Sequence, residues 1–478
     1  MGDYKGSNPS AERGPGPDKF QFGFLLALCL LVVVGSLTYA TITPYREAGI
    51  INRTVQPDYG APDERQHANY VQHILDGEGV PVFQPGSPDL YETYQAHQPP
   101  LYYFLTAAFA NIVGVDSVQE LAGSRLRWLN ALLAALTTAG IFFGLFWGTR
   151  NAWTGLAGAA ATSLLPMFLA LHGAVSNDPL LIAICTWTLA LTVKAVREGW
   201  SVPLAIAIGS LAGLGSLTKT SAIALVPVIL LAFWISSSKL NWKVVAATVA
   251  PYLVLSVPWW ARNQNLYGDP LAVGAFNEAF AGSPKAQVFI QELGHMDYWF
   301  GWVGWWTTRS FLGVFGYMDI FLPDAVYRIF AVLAIVALAV WGFRMFKGTA
   351  AGIDAETQRT HLLYGVFLLI IILLFIRFNS EYFQGQARYL YPAIASIALI
   401  FGTALSWKRP KIAILTVTLA LIGINIFAID YASIQFERRK ALSMASHPSV
   451  TFSGYSSVQT CTDGCCGDYV QLWHGLGR

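Results

Sequence analysis

Long apolar runs recur along the chain between residues 20 and 431, and they constrain its fold more than any other feature. A helix that crosses a membrane needs about 20 apolar residues. Charged residues make up only 12% of this chain, whereas soluble proteins contain about 25%. The pattern therefore predicts an all-α membrane protein with about eleven transmembrane helices. The predicted spans are Phe20–Thr43, Leu126–Gly148, Ala152–His172, Pro179–Val196, Val202–Leu217, Ser221–Ile235, Val244–Trp260, Val326–Phe346, Leu362–Phe378, Tyr389–Trp407 and Ile412–Tyr431.

The charge pattern of the short loops predicts the orientation of the chain. The first run, Phe20–Thr43, is longer than the core of a signal peptide and is interpreted as a retained anchor. The segment Pro100–Val115 is short and aromatic, and it is predicted to lie in the membrane interface. The basic loops then fall on the side of the N-terminal tail, so the N-terminus is predicted to be cytoplasmic and the long loops external. These loops contain Arg150, Lys194, Arg197, Lys239, Lys243, Arg344, Lys347 and the stretch Lys408–Lys411.

This topology divides the chain into a tail, a membrane domain and a second tail. Residues 1–19, rich in Gly, Pro and Ser, are expected to form a disordered cytoplasmic tail. Residues 20–431 are expected to form the membrane domain, with outer loops at 44–125 and 262–325, and residues 432–478 a short external tail. Cys461, Cys465 and Cys466 in that tail are able to form one disulfide and leave one thiol, and no second ligand cluster for zinc accompanies them.

A polar segment in the first outer loop, Asp58 to Tyr103, predicts a functional site. Asp63, Glu64 and His67 lie in a stretch of eleven residues that holds five ionisable side chains, residues 63–73. Ionisable residues beside membrane spans are costly unless they serve a site. We therefore predict that Asp63 performs acid–base chemistry at the membrane surface. The alternatives are a solvated loop, or an Asp63 that only caps a helix after Pro62.

Three other polar points fall on the predicted outer side. Asn177 and Asp178 precede Pro179, so they either cap the next helix or contribute to a site. Lys219 lies between two apolar runs and either binds an anionic head group or extends to the interface. Arg388 and Tyr389 begin a late span, and a guanidinium matches phosphate oxygens well. Interfacial anchoring is the alternative role for this last pair.

These residue types suit the transfer of an activated sugar. An attacking hydroxyl must lose its proton, and a carboxylate such as Asp63 can accept it. Glu64 is predicted to orient the acceptor or to hold Asp63. His67, one helical turn after Asp63, either tunes this carboxylate or covers a surface. His97 and Gln98 begin the interfacial helix and are predicted to direct hydrogen-bond donors toward the departing lipid phosphate.

The second outer loop, 262–325, is rich in tryptophan and glycine without a regular helical period. It is expected to be partly embedded, either lining a groove for a lipid tail or forming an aromatic belt. Arg262, at its start, is expected to face the same site as Asp63. The chain contains no glycine-rich phosphate loop, no HExxH motif and no nucleophile elbow, which argues against a soluble nucleotide-sugar site.

Four short motifs together resemble membrane glycosyltransferases of the GT-C superfamily, closest to the protein O-mannosyltransferase-like and aminoarabinose-transferase-like branches. The resemblance implies a polyprenyl- or dolichyl-phosphate sugar donor, inversion at the anomeric carbon, an external active site and juxtamembrane helices in the first outer loop. It also implies that the family's catalytic acid is Asp63 and its acidic neighbour Glu64. The motifs are PDERQH at 62–67, AHQPPLYY at 96–103, SNDPL at 176–180 and ARYLYP at 387–392.

The resemblance extends to the donor-binding motif only in part. His97, Pro99 and Pro100 match an HPPLxK-type motif, but Gln98 is inserted and the lysine is missing. Arg125 or Arg127 matches an arginine that precedes the second span in this family. Some GT-C enzymes bind a divalent metal; this sequence offers no firm ligand set, so no cofactor is predicted.

The sequence thus predicts an inverting hexosyl or pentosyl transferase that moves a sugar from a polyprenyl-phosphate donor to a hydroxyl acceptor. The expected partners are that donor, an acceptor on protein, lipid or glycan, and membrane lipids, with no nucleic acid. The first alternative is a transporter or flippase of lipid-linked sugars, for which inverted repeats and broken helices are typical. The second is a non-catalytic assembly protein, which would tolerate substitutions at Asp63, His97 and Arg388.

Overall fold

The structure is a computed structural model that describes residues 16–51, 54–236 and 241–446. Within these residues, eight helices are long and apolar enough to cross a membrane, which makes the chain a multi-pass integral membrane protein. The cysteines Cys461, Cys465 and Cys466 and most of the two predicted tails lie outside the described residues.

The described chain is mostly helical, as predicted. Its α-helices are α1 (Lys19–Ile42), α2 (Glu64–Leu75), α3 (Leu90–Thr93), α4 (Leu101–Val113), α5 (Arg127–Thr149), α6 (Ala152–Ser163), α7 (Pro166–Leu171), α8 (Asp178–Glu198), α9 (Val202–Ser216), α10 (Leu225–Ile235), α11 (Trp242–Tyr267), α12 (Val273–Ala279), α13 (Ala286–Leu293), α14 (Gly304–Leu312), α15 (Asp324–Lys347), α16 (Ala355–Asn379), α17 (Ile394–Leu405) and α18 (Pro410–Ser446). Tighter 3₁₀ turns cover Tyr94–His97, Leu121–Leu126, Thr220–Ala224, Gly348–Ala351 and Ala387–Ala393, and a wider π-helical turn covers Asp297–Val303.

The predicted count of about eleven spans is not confirmed. Eight predicted spans correspond to long apolar helices, and the other three do not. The predicted span Ala152–His172 is broken into α6 and α7, because Pro166 disfavours helical geometry in the residue before it, and Leu165 is extended. The predicted spans Val202–Leu217 and Ser221–Ile235 are shorter apolar helices, as is α4.

Burial differs sharply among the long helices. In α8, 83% of the most apolar window is buried inside the protein, whereas in α15 the share is 11%. α8 is therefore a central helix, and α15 presents its apolar side chains to lipid. Helices α6 and α17 approach closely through two glycines: a Cβ at Gly402 would lie 2.4 Å from the Thr154 oxygen, and a Cβ at Gly158 would lie 2.5 Å from the Ala398 oxygen.

The first outer loop contains the predicted juxtamembrane helices α2, α3 and α4. It also contains a short antiparallel hairpin that the sequence did not predict, β1 (Gly49–Ile51) paired with β2 (Thr54–Gln56). The second outer loop is compact, with α12 to α14 and a hairpin of β3 (Val314–Phe315) and β4 (Ile320–Phe321). The π-helical turn Asp297–Val303 accounts for the missing regular helical period in this region.

The last helix extends beyond the predicted end of the final span at Tyr431. Its continuation reaches Ser446 and packs on both outer loops. The Phe436 ring lies 6.0 Å from the Tyr59 ring, and Arg439 donates to Asp319 at 2.6 Å. Part of the predicted external tail is therefore helical and holds the two loops together.

Candidate active site

A buried ion pair fixes the start of α2, where the predicted site begins. Arg127 Nε donates to Glu64 Oε1 at 2.7 Å, and Arg127 Nη2 donates to Glu64 Oε2 at 2.5 Å. The Val175 amide also donates to Glu64, at 2.7 Å. The remaining Arg127 donors reach the carbonyl oxygens of Ala40, Thr43 and Pro44. Glu64 thus ties α2 to α5 and to the segment before α8, whereas the predicted roles of orienting the acceptor or holding Asp63 stay predictions.

Asp63 precedes this pair and has a different environment. Its backbone lies in the left-handed region at φ +64°, which costs about 1–3 kcal/mol in most residues, although Asp tolerates it better. Its side chain makes no helix-capping hydrogen bond, so the capping alternative is wrong. Asp63 Oδ1 accepts from the Tyr94 hydroxyl at 2.5 Å, and Oδ2 accepts from Arg388. Residues far apart in the sequence therefore meet at Asp63.

A second ion pair, Lys219–Asp178, lies beside the Asp63–Arg388 pair. Lys219 Nζ donates to Asp178 Oδ1 at 2.6 Å. The Tyr389 ring lies near both cations, with its centroid 5.8 Å from Lys219 Nζ and 5.3 Å from the Arg388 guanidinium carbon. The structure thus brings Asp63, Asp178, Lys219, Arg388 and Tyr389 into one group, which we call the charged cluster.

The predicted donor-binding residues His97, Gln98 and Asn177 form a hydrogen-bonded chain at the edge of the charged cluster. His97 Nδ1 lies 2.5 Å from the Tyr94 carbonyl oxygen, so Nδ1 is the protonated nitrogen. His97 Nε2 then accepts from the Gln98 amide at 2.9 Å, and Asn177 Nδ2 donates to Gln98 Oε1 at 3.2 Å. Burial lowers the pKa of His97 to about 4, so the ring is neutral at pH 7 and contributes no positive charge.

His67 lies beneath the charged cluster and is 3% exposed, so it does not cover a surface. Its Nδ1 is 2.8 Å from the Tyr103 hydroxyl. The charges of Asp63, Asp178, Lys219 and Arg388 all act on its ring, which places both ion pairs around it. Burial outweighs the two carboxylates and lowers the pKa of His67 to about 3. A neutral His67 brings no positive charge to Asp63, whose hydrogen-bond partners are Arg388 and Tyr94.

Asp63 is ionised at neutral pH. Burial alone would raise its pKa, but the positive charge of Arg388 and the Tyr94 hydrogen bond outweigh burial, and the pKa falls to about 2. The negative charge of Asp63 in turn adds to burial in raising the pKa of Tyr94. A neutral phenol and an ionised carboxylate are therefore the stable forms of this pair.

Three of the four predicted site arginines lie outside the charged cluster. Arg125 is exposed and donates to the carbonyl oxygens of Val113 and Gly114 at the end of α4. Arg127 is paired with Glu64 and holds α5 against α2. Arg262 stacks on Trp259 and donates to the Pro81 carbonyl oxygen at 2.8 Å.

The sequence analysis missed Tyr94, which contacts Asp63 directly. A weak signal was available, because Tyr94 lies three residues before His97 in the stretch that closes the polar segment. That spacing alone does not distinguish a site tyrosine from an interfacial one. The tertiary structure shows the contact, because the 3₁₀ turn Tyr94–His97 packs against the start of α2.

The described residues do not show a metal-binding site. Across residues 16–51, 54–236 and 241–446, no group of three or more His, Cys, Asp or Glu side chains is placed to hold a metal ion. That no cofactor is needed stays a prediction.

The fold is similar to that of solved GT-C membrane glycosyltransferases. The chain is similar to two structures of the oligosaccharyltransferase from Archaeoglobus fulgidus. For the apo form the identity is 14% and the TM-score 0.54, over 87% of this chain and 57% of that one. For AglB in complex with an inhibitory peptide and a dolichol-phosphate the identity is 13% and the TM-score 0.52, over 87% and 56%.

Residues 97–261 match the family model of dolichyl-phosphate-mannose-protein mannosyltransferases. This match confirms the resemblance that the motifs indicated, and it spans His97, Asn177, Asp178 and Lys219 but neither Asp63 nor Arg388. ArnT from Cupriavidus metallidurans bound to undecaprenyl phosphate is also similar, at 16% identity and a TM-score of 0.49, over 81% of this chain and 61% of that one. A search of curated proteins found no match. The chain spans less than two thirds of each of these solved structures.

Proposed function

We propose that this protein is an inverting glycosyltransferase that moves a sugar from a polyprenyl-phosphate donor of the dolichyl-phosphate type to a hydroxyl acceptor at the external membrane face. The observation that carries the proposal is the contact between Asp63 and Arg388, which are 325 residues apart in the chain. This contact sets a carboxylate beside Arg388, a side chain of the type that pairs well with phosphate. The family match and the GT-C fold support a lipid-phosphate donor.

The donor phosphate is bound by Lys219 and Arg388. Arg388 Nε is buried and has no hydrogen-bond partner among the described residues, so the guanidinium retains a donor for a ligand. A guanidinium binds phosphate oxygens through two parallel hydrogen bonds, and Lys219 adds a second positive charge. When Arg388 turns to the phosphate, it releases Oδ2 of Asp63.

Asp63 then acts as the general base. The acceptor hydroxyl transfers its proton to Asp63 as its oxygen attacks the anomeric carbon. The bond between that carbon and the phosphate oxygen breaks on the opposite side of the sugar, and its electron pair stays on the lipid phosphate. Attack opposite the leaving group inverts the configuration.

The charges of the cluster follow this displacement. Asp63 and Asp178 balance Arg388 and Lys219, so the cluster is neutral before the donor enters. During the reaction one negative charge moves from Asp63, which becomes protonated, to the departing phosphate. Arg388 and Lys219 stabilise that growing charge, which is the kind of electrostatic term that contributes most to catalysis.

A small depression beside Lys219 lies where we propose that the polyprenyl chain begins. It has room for about one water molecule in this conformation, and apolar and aromatic side chains form most of its lining. The lining residues are Ser216, Thr220, Ile223, Trp259, Trp260 and Leu271. Thr220, which lines this depression, follows Lys219 directly in the chain. The external position of the site rests on the positive-inside pattern of the basic loops.

The experiment is a transfer assay on the purified full-length protein in lipid nanodiscs, with a panel of polyprenyl-phosphate sugars and short hydroxyl acceptors. Mass spectrometry measures the glycosylated product and the released lipid phosphate. The wild type should form both from at least one donor. Asp63→Asn should lower kcat by about 10²- to 10⁴-fold, the usual contribution of a general base. Asn also tolerates the left-handed backbone, so the variant should fold.

Asp319→Asn is the matched control, because the Asp319–Arg439 pair has nearly the same exposure, 17% and 15%, as Asp63–Arg388, 19% and 12%. It should keep most of the transfer activity. Unchanged turnover by Asp63→Asn would overturn the assignment of the base. Movement of a lipid-linked sugar across the bilayer with no covalent product would favour the transporter alternative.

A further inference from the structure

The two oxygens of Asp63 have different partners, and the difference bears on which oxygen takes the proton. Oδ1 accepts from the neutral Tyr94 phenol, whereas Oδ2 accepts from the charged Arg388. A phosphate competes strongly for an arginine, because the pairing is charged and bidentate. It competes weakly for a neutral phenol that already donates to an ionised carboxylate. The two contacts should therefore respond differently when the donor binds.

Tyr94 is held in place independently of Asp63. Its carbonyl oxygen accepts from His97, and its ring packs edge-on against Phe280 at 5.8 Å. The hydroxyl also lies 3.2 Å from Gln66 Oε1. A phenol anchored at its backbone and its ring can retain a hydrogen bond while the other partner of the carboxylate moves away.

We infer that Tyr94 is a positioning residue for the base of the proposed transfer: it holds Oδ1 of Asp63 throughout, and Oδ2 is the oxygen that receives the acceptor proton. This inference rests on the proposed function. In the step, the acceptor O–H bond breaks and an O–H bond forms at Oδ2. The acceptor oxygen bonds to the anomeric carbon, and the electron pair of the broken carbon–oxygen bond leaves with the lipid phosphate.

Tyr94→Phe tests the inference, because it removes the hydroxyl and leaves the ring. Because the lost hydrogen bond favours the ionised carboxylate, the pKa of Asp63 should rise by about one to two units. The acid limb of kcat, measured with saturating donor and acceptor, should move to higher pH by that amount. At pH 7 kcat should fall about 10-fold through misorientation, with the KM for the donor unchanged.

A second readout does not depend on activity. A hydrophobic carbodiimide reacts with protonated carboxyl groups, and peptide mass spectrometry locates the product on Asp63. The rate of this reaction follows the protonated fraction of the carboxyl group. The carbodiimide should therefore label Asp63 about 10 to 100 times faster in Tyr94→Phe than in the wild type at pH 5. Labelling of Asp319 in the same sample serves as the internal reference.

Tyr45→Phe is the matched control. Its hydroxyl is also buried in the first outer loop, where it donates to the Val118 carbonyl oxygen at 2.8 Å, and it has no hydrogen bond to Asp63. It should lose comparable stability but leave the acid limb and the labelling rate unchanged. The inference would be overturned if the acid limb of kcat moved equally in both variants, or if it did not move in Tyr94→Phe. Faster labelling in Tyr94→Phe without any transfer by the wild type would instead overturn the proposed function and retain the Tyr94 contact.

Discussion

Asp63 and Glu64 are neighbours in the chain, and both pair with an arginine, yet their environments differ in almost every respect. Glu64 and Arg127 are 4% and 1% exposed, and the oxygens of Glu64 and the guanidinium of Arg127 share a full set of hydrogen bonds with each other and with backbone groups. Asp63 and Arg388 are 19% and 12% exposed, Arg388 has an unpartnered buried Nε, and the Asp63 backbone is left-handed. The first pair is fully satisfied, and the second is not.

This difference separates a structural role from a chemical one. A buried ion pair whose groups are all hydrogen-bonded has no capacity left for a ligand, and it serves to fix the elements that carry it. An unsatisfied buried donor in a native protein calls for an explanation, and strained backbone is concentrated at functional sites. If the two pairs differ in this way, changes at Glu64 should lower stability, and changes around Asp63 should lower turnover or donor binding.

The largest effect is expected for Glu64→Gln. It leaves the Arg127 charge buried without its partner, and breaking a buried pair costs about 3–5 kcal/mol of stability. The thermal unfolding midpoint in detergent should fall strongly, and the yield of folded protein with it. The double variant Glu64→Gln with Arg127→Met should recover part of the loss. A midpoint equal to that of the wild type would show that the pair is not the framework contact we describe.

Lys219→Met should have the next largest effect, and on donor binding more than on folding. Hydrogen bonds to charged groups contribute about 1.5–3 kcal/mol, so the KM for the polyprenyl-phosphate donor should rise about 10- to 100-fold. The acceptor KM should change little. Steady-state kinetics with each substrate varied in turn measures both constants. A rise confined to the KM for the acceptor would show that Lys219 binds the acceptor and not the donor.

The Asp63–Arg388 pair should give stability a specific pH dependence. The pKa of Asp63 is lowered from 3.8 to about 2, so the pair stabilises the folded state above pH 3.8 and loses this contribution as the pH falls through about 2. The shift corresponds to about 2 kcal/mol. Unfolding midpoints of the wild type and Asp63→Asn should therefore converge between pH 4 and pH 2.

Asp319 provides the contrast for that experiment. Burial raises its pKa despite the nearby Arg439, so its ion pair has the opposite pH dependence. The difference between the wild type and Asp319→Asn should not shrink over the same acid range. Parallel behaviour of the two variants would show that acid acts on the protein generally and not through Asp63.

The smallest effect is expected for Arg125→Met. Arg125 is exposed and donates only to carbonyl oxygens at the end of α4, and such surface substitutions change stability by about 0.5 kcal/mol or less. Donor KM and kcat should stay within error of the wild type. A clear loss of donor affinity would mean that the arginine before the second span binds phosphate after all.

Much of the site could be predicted because membrane spans limit where ionisable groups are found. Asp178, Lys219 and Arg388 each lie next to an apolar run, where an ionisable group is expensive unless it has a partner, and Asp63 lies in the polar segment between two such runs. The sequence did not reveal the partners, since Asp63 meets a residue 325 positions later. It also did not separate Arg125 from Arg127, because two arginines two positions apart point in different directions on a helical turn.

The sequence by itself determined the membrane class, the helical content and the polar segment that begins the site, because hydropathy and charge placement are local properties of the chain. Only the tertiary structure decided that Glu64 is satisfied by Arg127 while Asp63 shares its two oxygens between Tyr94 and Arg388. Neighbouring carboxylates have the same intrinsic chemistry. Their roles differ because packing fixes which donors reach each oxygen and which donor is left to bind something else.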